Sequence, residues 1–205
     1  MTDNGQRVIA FEGIPFAGKS TAATGLARRH PGMRVVPDYH EMLTPAERVR
    51  VAQLSDSAAD QHHRVAMYRD LDDRRWKLAD ESDSTTVVFD RCYLSIAAYR
   101  LALHAAFGLP GDPDTADEAP GPVCERPIPP VVVFFAVSAS TAVERHHRLA
   151  RTIDTRLRTY EFLSTLIGAY RQVLTACGAR VLVIDSDQPL TEVVADACEC
   201  VREVF

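Results

Sequence analysis

Lysine is almost absent from this 205-residue chain: of its 23 basic residues only Lys19 and Lys77 are lysines. Each therefore has to be located before any function is read. Long apolar runs are missing as well. The longest, Val131 to Val137, falls far short of the ~18 residues needed to span a bilayer, so no membrane partner is expected. The opening Met1-Thr2-Asp3-Asn4-Gly5-Gln6-Arg7 has no basic segment followed by an apolar one, which excludes a signal peptide and predicts a cytoplasmic address. The five cysteines are odd in number and scattered, so a disulfide framework is not expected and they are read as reduced. An excess of positive charge is also lacking. A net charge of −5 argues against a nucleic-acid polymer as partner, although a local basic cluster could meet a small anion. What remains is 46% hydrophobic and 25% charged, enough for a packed core in one domain of residues 1–205.

Strand-like and helix-like stretches alternate along the chain. Arg7 to Phe11 is a β-branched, apolar run that ends at glycine. Ser20 to Arg29 carries helix formers and stops at His30-Pro31-Gly32. Met33 to Val36, Ser84 to Phe89, Val131 to Val137 and Arg180 to Ile184 supply four more strands, and a capping box with proline opens a helix at Thr44-Pro45-Ala46-Glu47. Helical pattern dominates to about residue 80 and fits 92–106, 140–151, 156–176 and 190–203. Strands alternating with helices predict an α/β fold with a parallel, helix-covered sheet. Residues 108–130 hold seven of the twelve prolines and no apolar period, which predicts an exposed insertion.

Gly13-Ile14-Pro15-Phe16-Ala17-Gly18-Lys19-Ser20, followed by Thr21, fits the pattern GxxxxGK[ST]. It lies between a predicted strand and a predicted helix, the context in which such a loop binds phosphate. Gly13, Ala17 and Gly18 let backbone N–H groups close on phosphate oxygens, and the helix N-terminus adds partial positive charge. Lys19 reaches the β/γ-phosphates and the Ser20 hydroxyl can bind Mg²⁺. ATP and Mg²⁺ are the expected cofactors.

Three segments could act on an acceptor. Asp38, just beyond the second strand, would face the crevice outside the strand ends and is the candidate base; the plain alternative is an Asx turn. Asp90-Arg91 delivers a carboxylate and a guanidinium together, Asp90 for Mg²⁺ and Arg91 for a phosphate, with a surface salt bridge as the alternative. Arg145, Arg148 and Arg151 recur every three residues, so they could face one way as an arginine-rich lid over about 145–160 and bracket a triphosphate. A solvated helical face would show the same pattern. Neither the paired histidines nor Cys198-x-Cys200 has zinc-ligand spacing.

These segments resemble the thymidylate kinases and deoxynucleoside kinases among P-loop kinases. Phe11-Glu12-Gly13 through Thr21 resembles the opening FEGxxGAGKST of thymidylate kinases, and Asp90 to Tyr99 is similar to their DRYxxSxxAYQ segment. The resemblance implies a three-layer P-loop NTPase fold, with a five-stranded parallel sheet and helices on both faces. It implies that Arg91 contacts phosphates and that later residues of its segment, to Tyr99, line the acceptor site. Arg145 would pack by the adenine, as would the loop holding Asp187. Departures from thymidylate kinases are specific: Pro15 replaces an acidic residue, Pro37-Asp38-Tyr39 replaces an arginine-glutamate-proline segment, and Arg100 replaces a glutamine. A carboxylate after the second strand resembles the nucleoside kinases, where it is the base for a sugar hydroxyl. Glu161-Phe162-Leu163 resembles their segment whose glutamate reaches the sugar, and by spacing Arg69 falls where thymidylate kinases place a base-contacting arginine.

The expected function is transfer of the γ-phosphate of ATP to a nucleoside, nucleotide or nucleoside-like small molecule. Lys19, Arg91, Arg148 and Arg151 would stabilise the transferring group, Ser20 and Asp90 would hold Mg²⁺, and Asp38, Tyr39, Arg69, Arg91, Tyr99 and Glu161 would meet the acceptor. A kinase of another small alcohol, such as an antibiotic or sugar derivative, and a non-catalytic nucleotide-binding regulator remain the alternatives. Because related kinases are often dimers, the resemblance implies a homodimer as the assembly to test.

Overall fold

A computed structural model describes residues 5–109, 126–149 and 155–204. The elements run β1 (Arg7–Glu12), α1 (Lys19–Arg29), β2 (Met33–Val36), α2 (Tyr39–Met42), α3 (Pro45–Gln53), α4 (Ala58–Asp80), β3 (Thr86–Asp90) and α5 (Tyr93–Phe107). After the insertion come β4 (Val131–Ala136), α6 (Ala139–Leu149), a 3₁₀ turn (Thr155–Arg158), α7 (Tyr160–Ala176), β5 (Arg180–Asp185) and α8 (Leu190–Val204). The five strands form one parallel sheet in the order β2-β3-β1-β4-β5. Helices cover both faces: α1 packs with α8, while α5 packs with α7, flanked by α4 and α6.

Coverage on both faces explains why the central strands read as unbroken apolar runs rather than as alternating ones. Val8 to Phe11, Val87 to Phe89 and Val131 to Phe135 are all buried, and Phe11 lies against Phe135 with ring centroids 5.0 Å apart. The edge strand β5 is less covered: Arg180, Val183 and Asp185 are exposed, Val183 to 65%.

The helical stretch between β2 and β3 breaks into three. Thr44 caps α3 by the expected capping box, Ser57 caps α4, and the chain between them at Leu54–Asp56 is not helical. Residues 110–125 of the insertion lie outside the described residues, but its exit is anchored: Arg126 bonds Asp73 and lies 3.6 Å from Asp72, both on α4. Cys92, Cys177, Cys198 and Cys200 carry free thiols. No described helix is long and apolar enough to cross a membrane.

What this architecture positions is the strand order reversal. The chain leaves central β1 with β3 on one side and β4 on the other, which opens a crevice beyond the strand ends.

Candidate active site

The geometry of the loop between β1 and α1 suits an anion. Gly18 caps α1 at φ 96°, no side chain caps the helix, and its first turn holds no acidic residue. The first N–H groups are thus left to a ligand, and the helix dipole favours a negative one. Gly13 has φ 145°, and a Cβ there would sit 2.7 Å from the Phe135 carbonyl oxygen. Only glycine lets β1 turn this close to β4. Ala17 is fully buried, while Ser20 and Thr21 are exposed on the first turn of α1.

Lys19 is 4% exposed and its Nζ donates to the Ile14 carbonyl at 2.8 Å. Burial, then the nearby Arg91 cation, lowers its pKa to about 7, against the opposing pull of Asp90, Glu12 and Asp38. Near neutral pH the amine is therefore only partly protonated, and a phosphate would stabilise its ammonium form.

Asp38 and Arg91 meet across the ends of β2 and β3. Arg91 Nε donates to Asp38 Oδ2 at 2.9 Å, with the side chains only 12% and 21% exposed, respectively. Asp38 also accepts from the His40 N–H as the cap of α2, so it serves as Asx turn and as ion-pair partner at once. Burial alone would raise the Asp38 carboxyl, but Arg91 and His40 hold it below its ordinary value. Arg91 itself has φ 70°, a conformation costing about 1–3 kcal/mol that must be held by its surroundings. Its N–H donates to the Phe11 carbonyl and its Nη1 to the Gly13 carbonyl, which ties the clamp to the phosphate loop. Burial opposes its charge, yet Tyr170, Asp38 and Tyr99 keep its pKa well above the usual value.

Beside it, Asp90 is 3% exposed and its Oδ1 has no hydrogen-bond partner. It is not a surface salt bridge. A buried carboxylate oxygen without a donor is costly, and a hard cation such as Mg²⁺ is the kind of ligand that would relieve it.

Sequence reasoning missed the residue that joins these strand ends. The β2–β3 ladder ends at Val36 and Phe89, because Pro37 has no N–H to continue it. Fully buried Arg75 of α4 spans the gap: Nε donates to the Pro37 carbonyl at 2.9 Å, and Nη2 to the carbonyls of Asp90 at 2.9 Å and Arg91 at 2.6 Å. Its guanidinium lies 4.1 Å from the Tyr39 ring centre. That arrangement corrects the expectation for Tyr39. It is 2% exposed, and its hydroxyl donates to Asp72 at 2.6 Å rather than being left for an acceptor. Glu12, Ser95 and Tyr170 were also missed; they form a buried group around Arg91.

Tyr68 and Tyr99 stand near enough to Asp38 and Arg91 to feel both charges. Burial pushes the Tyr68 hydroxyl up to about 12, so it is a neutral donor across the physiological range. Arg69 is half-buried on α4, and its backbone carbonyl accepts from Arg126 at 3.3 Å. Glu161 is exposed in the first turn of α7.

The three arginines read as one lid face separate. Arg145 turns inward, with Nη1 donating to the Phe16 carbonyl at 3.2 Å and Nη2 to the Gln188 carbonyl at 2.9 Å. Arg148 is exposed and pairs with Glu144 one turn back at 2.5 Å, the i,i+4 arrangement of a solvated helix. Arg151 lies outside the described residues. Asp187 accepts from the N–H and hydroxyl of Ser138, joining the β5–α8 loop to the start of α6.

Among solved structures, the fold is similar to deoxyadenosine kinase from M. mycoides with bound dATP, at TM-score 0.67 and 18% identity, covering 96% of this chain and 97% of that one. The same kinase with products dCMP and dCDP gives TM-score 0.68 at 16% identity over 96% and 99% of the two chains. Thymidylate kinase from Candida albicans gives TM-score 0.67 at 14% identity, over 97% and 92%. No curated protein matches the sequence. The chain shares the fold of these kinases nearly end to end. Residues 8–189 match the family model described as an AAA domain, and the chain belongs to that family.

Proposed function

We propose that this protein is an ATP-dependent kinase that phosphorylates the hydroxyl of a nucleoside or nucleoside-like alcohol. The observation that carries the reading is the Asp38–Arg91 pair at 2.9 Å, at the strand ends beside the phosphate loop. A monophosphate acceptor would bring a second anion against Asp38 and compete with it for Arg91, a like-charge placement that costs affinity. A hydroxyl meets neither penalty: it donates to the carboxylate while Arg91 remains bound to both the base and the loop.

In the proposed reaction the acceptor oxygen forms a bond to the γ-phosphorus. The bond to the β,γ-bridging oxygen breaks with its electron pair leaving on ADP, and the hydroxyl proton passes to Asp38. Asp38 is ionised well below neutral pH and is a weak base. That suits a loose transition state, in which the nucleophile keeps its proton until late and the carboxylate chiefly orients it. Lys19 and Arg91 offset charge on the transferring oxygens, and the unspent N–H groups of α1 hold the phosphates that do not move. Ser20 and Asp90 would hold Mg²⁺, which when bound neutralises charge between the β- and γ-phosphates. Arg145 borders the nucleotide end through Phe16 and Gln188.

The test is ADP release from ATP and Mg²⁺ against nucleosides, nucleoside monophosphates and sugar-like alcohols. We expect release that depends on a nucleoside-type hydroxyl, is lost in Lys19→Met, and falls by about 10²-fold or more in Asp38→Asn. Release supported only by monophosphates and surviving Asp38→Asn would replace this reading with a nucleotide kinase.

A further inference from the structure

Arg91 depends on a buried anion that it never touches. Its Nη1 lies 3.0 Å from each of three acceptors: the Gly13 carbonyl, the Ser95 hydroxyl and the Tyr170 hydroxyl. Behind the two hydroxyls stands Glu12, fully buried at the end of β1. Its Oε1 accepts from the Cys92 N–H at 2.7 Å, and its Oε2 from Ser95 Oγ at 2.6 Å and Tyr170 OH at 3.2 Å. The hydrogens follow from the charges. A guanidinium only donates, so each hydroxyl must point its proton away from Arg91 and a lone pair toward it. Ser95 and Tyr170 are themselves hydrogen-bonded at 2.8 Å: Ser95 gives its one proton to Glu12, so Tyr170 donates to the Ser95 oxygen and to Glu12, and the two hydroxyls link Glu12 to Arg91.

Resting on the kinase reading above, we propose that Tyr170 is a positioning residue: its hydroxyl, with that of Ser95, fixes the Arg91 guanidinium against the phosphate loop in the orientation needed for phosphoryl transfer. Three features single it out. Tyr170 is fully buried, so its hydroxyl has no water to bond. It stands on α7, the helix that follows the 3₁₀ turn Thr155–Arg158, and bonds a residue 79 positions earlier. Its ring packs on Phe134 with centroids 5.5 Å apart, so the ring and the hydroxyl have separable roles. Packing alone would be served as well by phenylalanine.

Tyr170→Phe removes one oxygen and keeps the ring. We expect kcat to fall about tenfold, the loss of one charge-assisted bond in the transition state, with KM for ATP and for the acceptor within about twofold. Ser95→Ala should act in the same direction. A second readout does not need turnover: the Arg91 Nε–H resonance, assigned by its disappearance in Arg91→Lys, should exchange with water about tenfold faster in Tyr170→Phe. A merely structural tyrosine would lower the melting temperature and move neither the kcat–KM split nor this exchange rate. Unchanged kcat and unchanged exchange in both Tyr170→Phe and Ser95→Ala would overturn the proposal. If wild-type protein transfers phosphate to no acceptor, the kinase reading fails by itself, and the exchange rate still decides whether Tyr170 holds Arg91.

Discussion

A lysine amine with a pKa of about 7 cannot bind a triphosphate without taking up protons. In the free protein burial and Arg91 hold Lys19 at that value, so it is about half charged at pH 7 and about one-tenth neutral at pH 6. A phosphate placed on Nζ returns it to full charge. Linkage then fixes the stoichiometry: uptake attributable to Lys19 of about a tenth of a proton at pH 6, about half at pH 7 and nearly one at pH 8.5. Apparent affinity for nucleotide should fall about thirtyfold from pH 6 to pH 8.5 through this group alone. Calorimetric titration of ATP in two buffers with different ionisation heats counts the protons, and Lys19→Met removes the contribution. The same group affects folding. From 10.5 unfolded to about 7 folded, the sign is that the unfolded chain binds more protons between these values, so stability rises with pH across that window, by about 5 kcal/mol at most. Lys19→Met should lack that rise in melting curves. No net uptake at pH 8.5, or the same uptake in Lys19→Met, would refute the buried-ammonium account of the loop.

Three more outcomes follow from the geometry. Gly13→Ala should cost about 2–4 kcal/mol in denaturant unfolding, because the new Cβ meets the Phe135 carbonyl at a φ that L residues avoid. Tyr39→Phe strips Asp72 of its 2.6 Å donor and should cost about 1–3 kcal/mol in stability while leaving the acceptor KM within about twofold; a large change in acceptor KM would instead make Tyr39 a ligand. The acid limb of kcat/KM should show no titration of Asp38 above pH 4, since Arg91 and His40 outweigh its burial and hold its carboxyl below the ordinary value. A limb near pH 6 that vanishes in Asp38→Asn would reverse that assignment.

The parts of the site that are contiguous in the chain were legible in it. The phosphate loop is one run of residues between a strand and a helix, and Asp90-Arg91 sits at the end of another strand, so spacing alone placed both at the sheet's rim. The supports were not legible, because what marks them is distance along the chain. Tyr170 meets Glu12 across 158 positions, and Arg75 meets Pro37 across 38. Arg75 sits in a charged run, Asp72-Asp73-Arg74-Arg75, in which the more exposed Asp73 and Arg74 disguise it. One signal was present: Pro37 ends a ladder that some other donor must replace. Tyr39 was misplaced because adjacency to Asp38 says nothing of direction once α2 begins. Among the arginines, the three-residue repeat suggested a common face, but Glu144 one turn before Arg148 offered it a partner on the helix surface. Arg145, one turn earlier, had the loop carbonyls within reach instead.

The central claim is that phosphate moves from ATP to a carbon-bound hydroxyl under the orienting hold of Asp38. The most direct measurement is ³¹P spectroscopy of the products formed by wild-type protein and Asp38→Asn from ATP, Mg²⁺ and a nucleoside. The account predicts a phosphomonoester and ADP in equal amounts, formed by the wild type and nearly lost in the variant. A diphosphate made from a monophosphate acceptor in both proteins, or inorganic phosphate as the sole product, would contradict it.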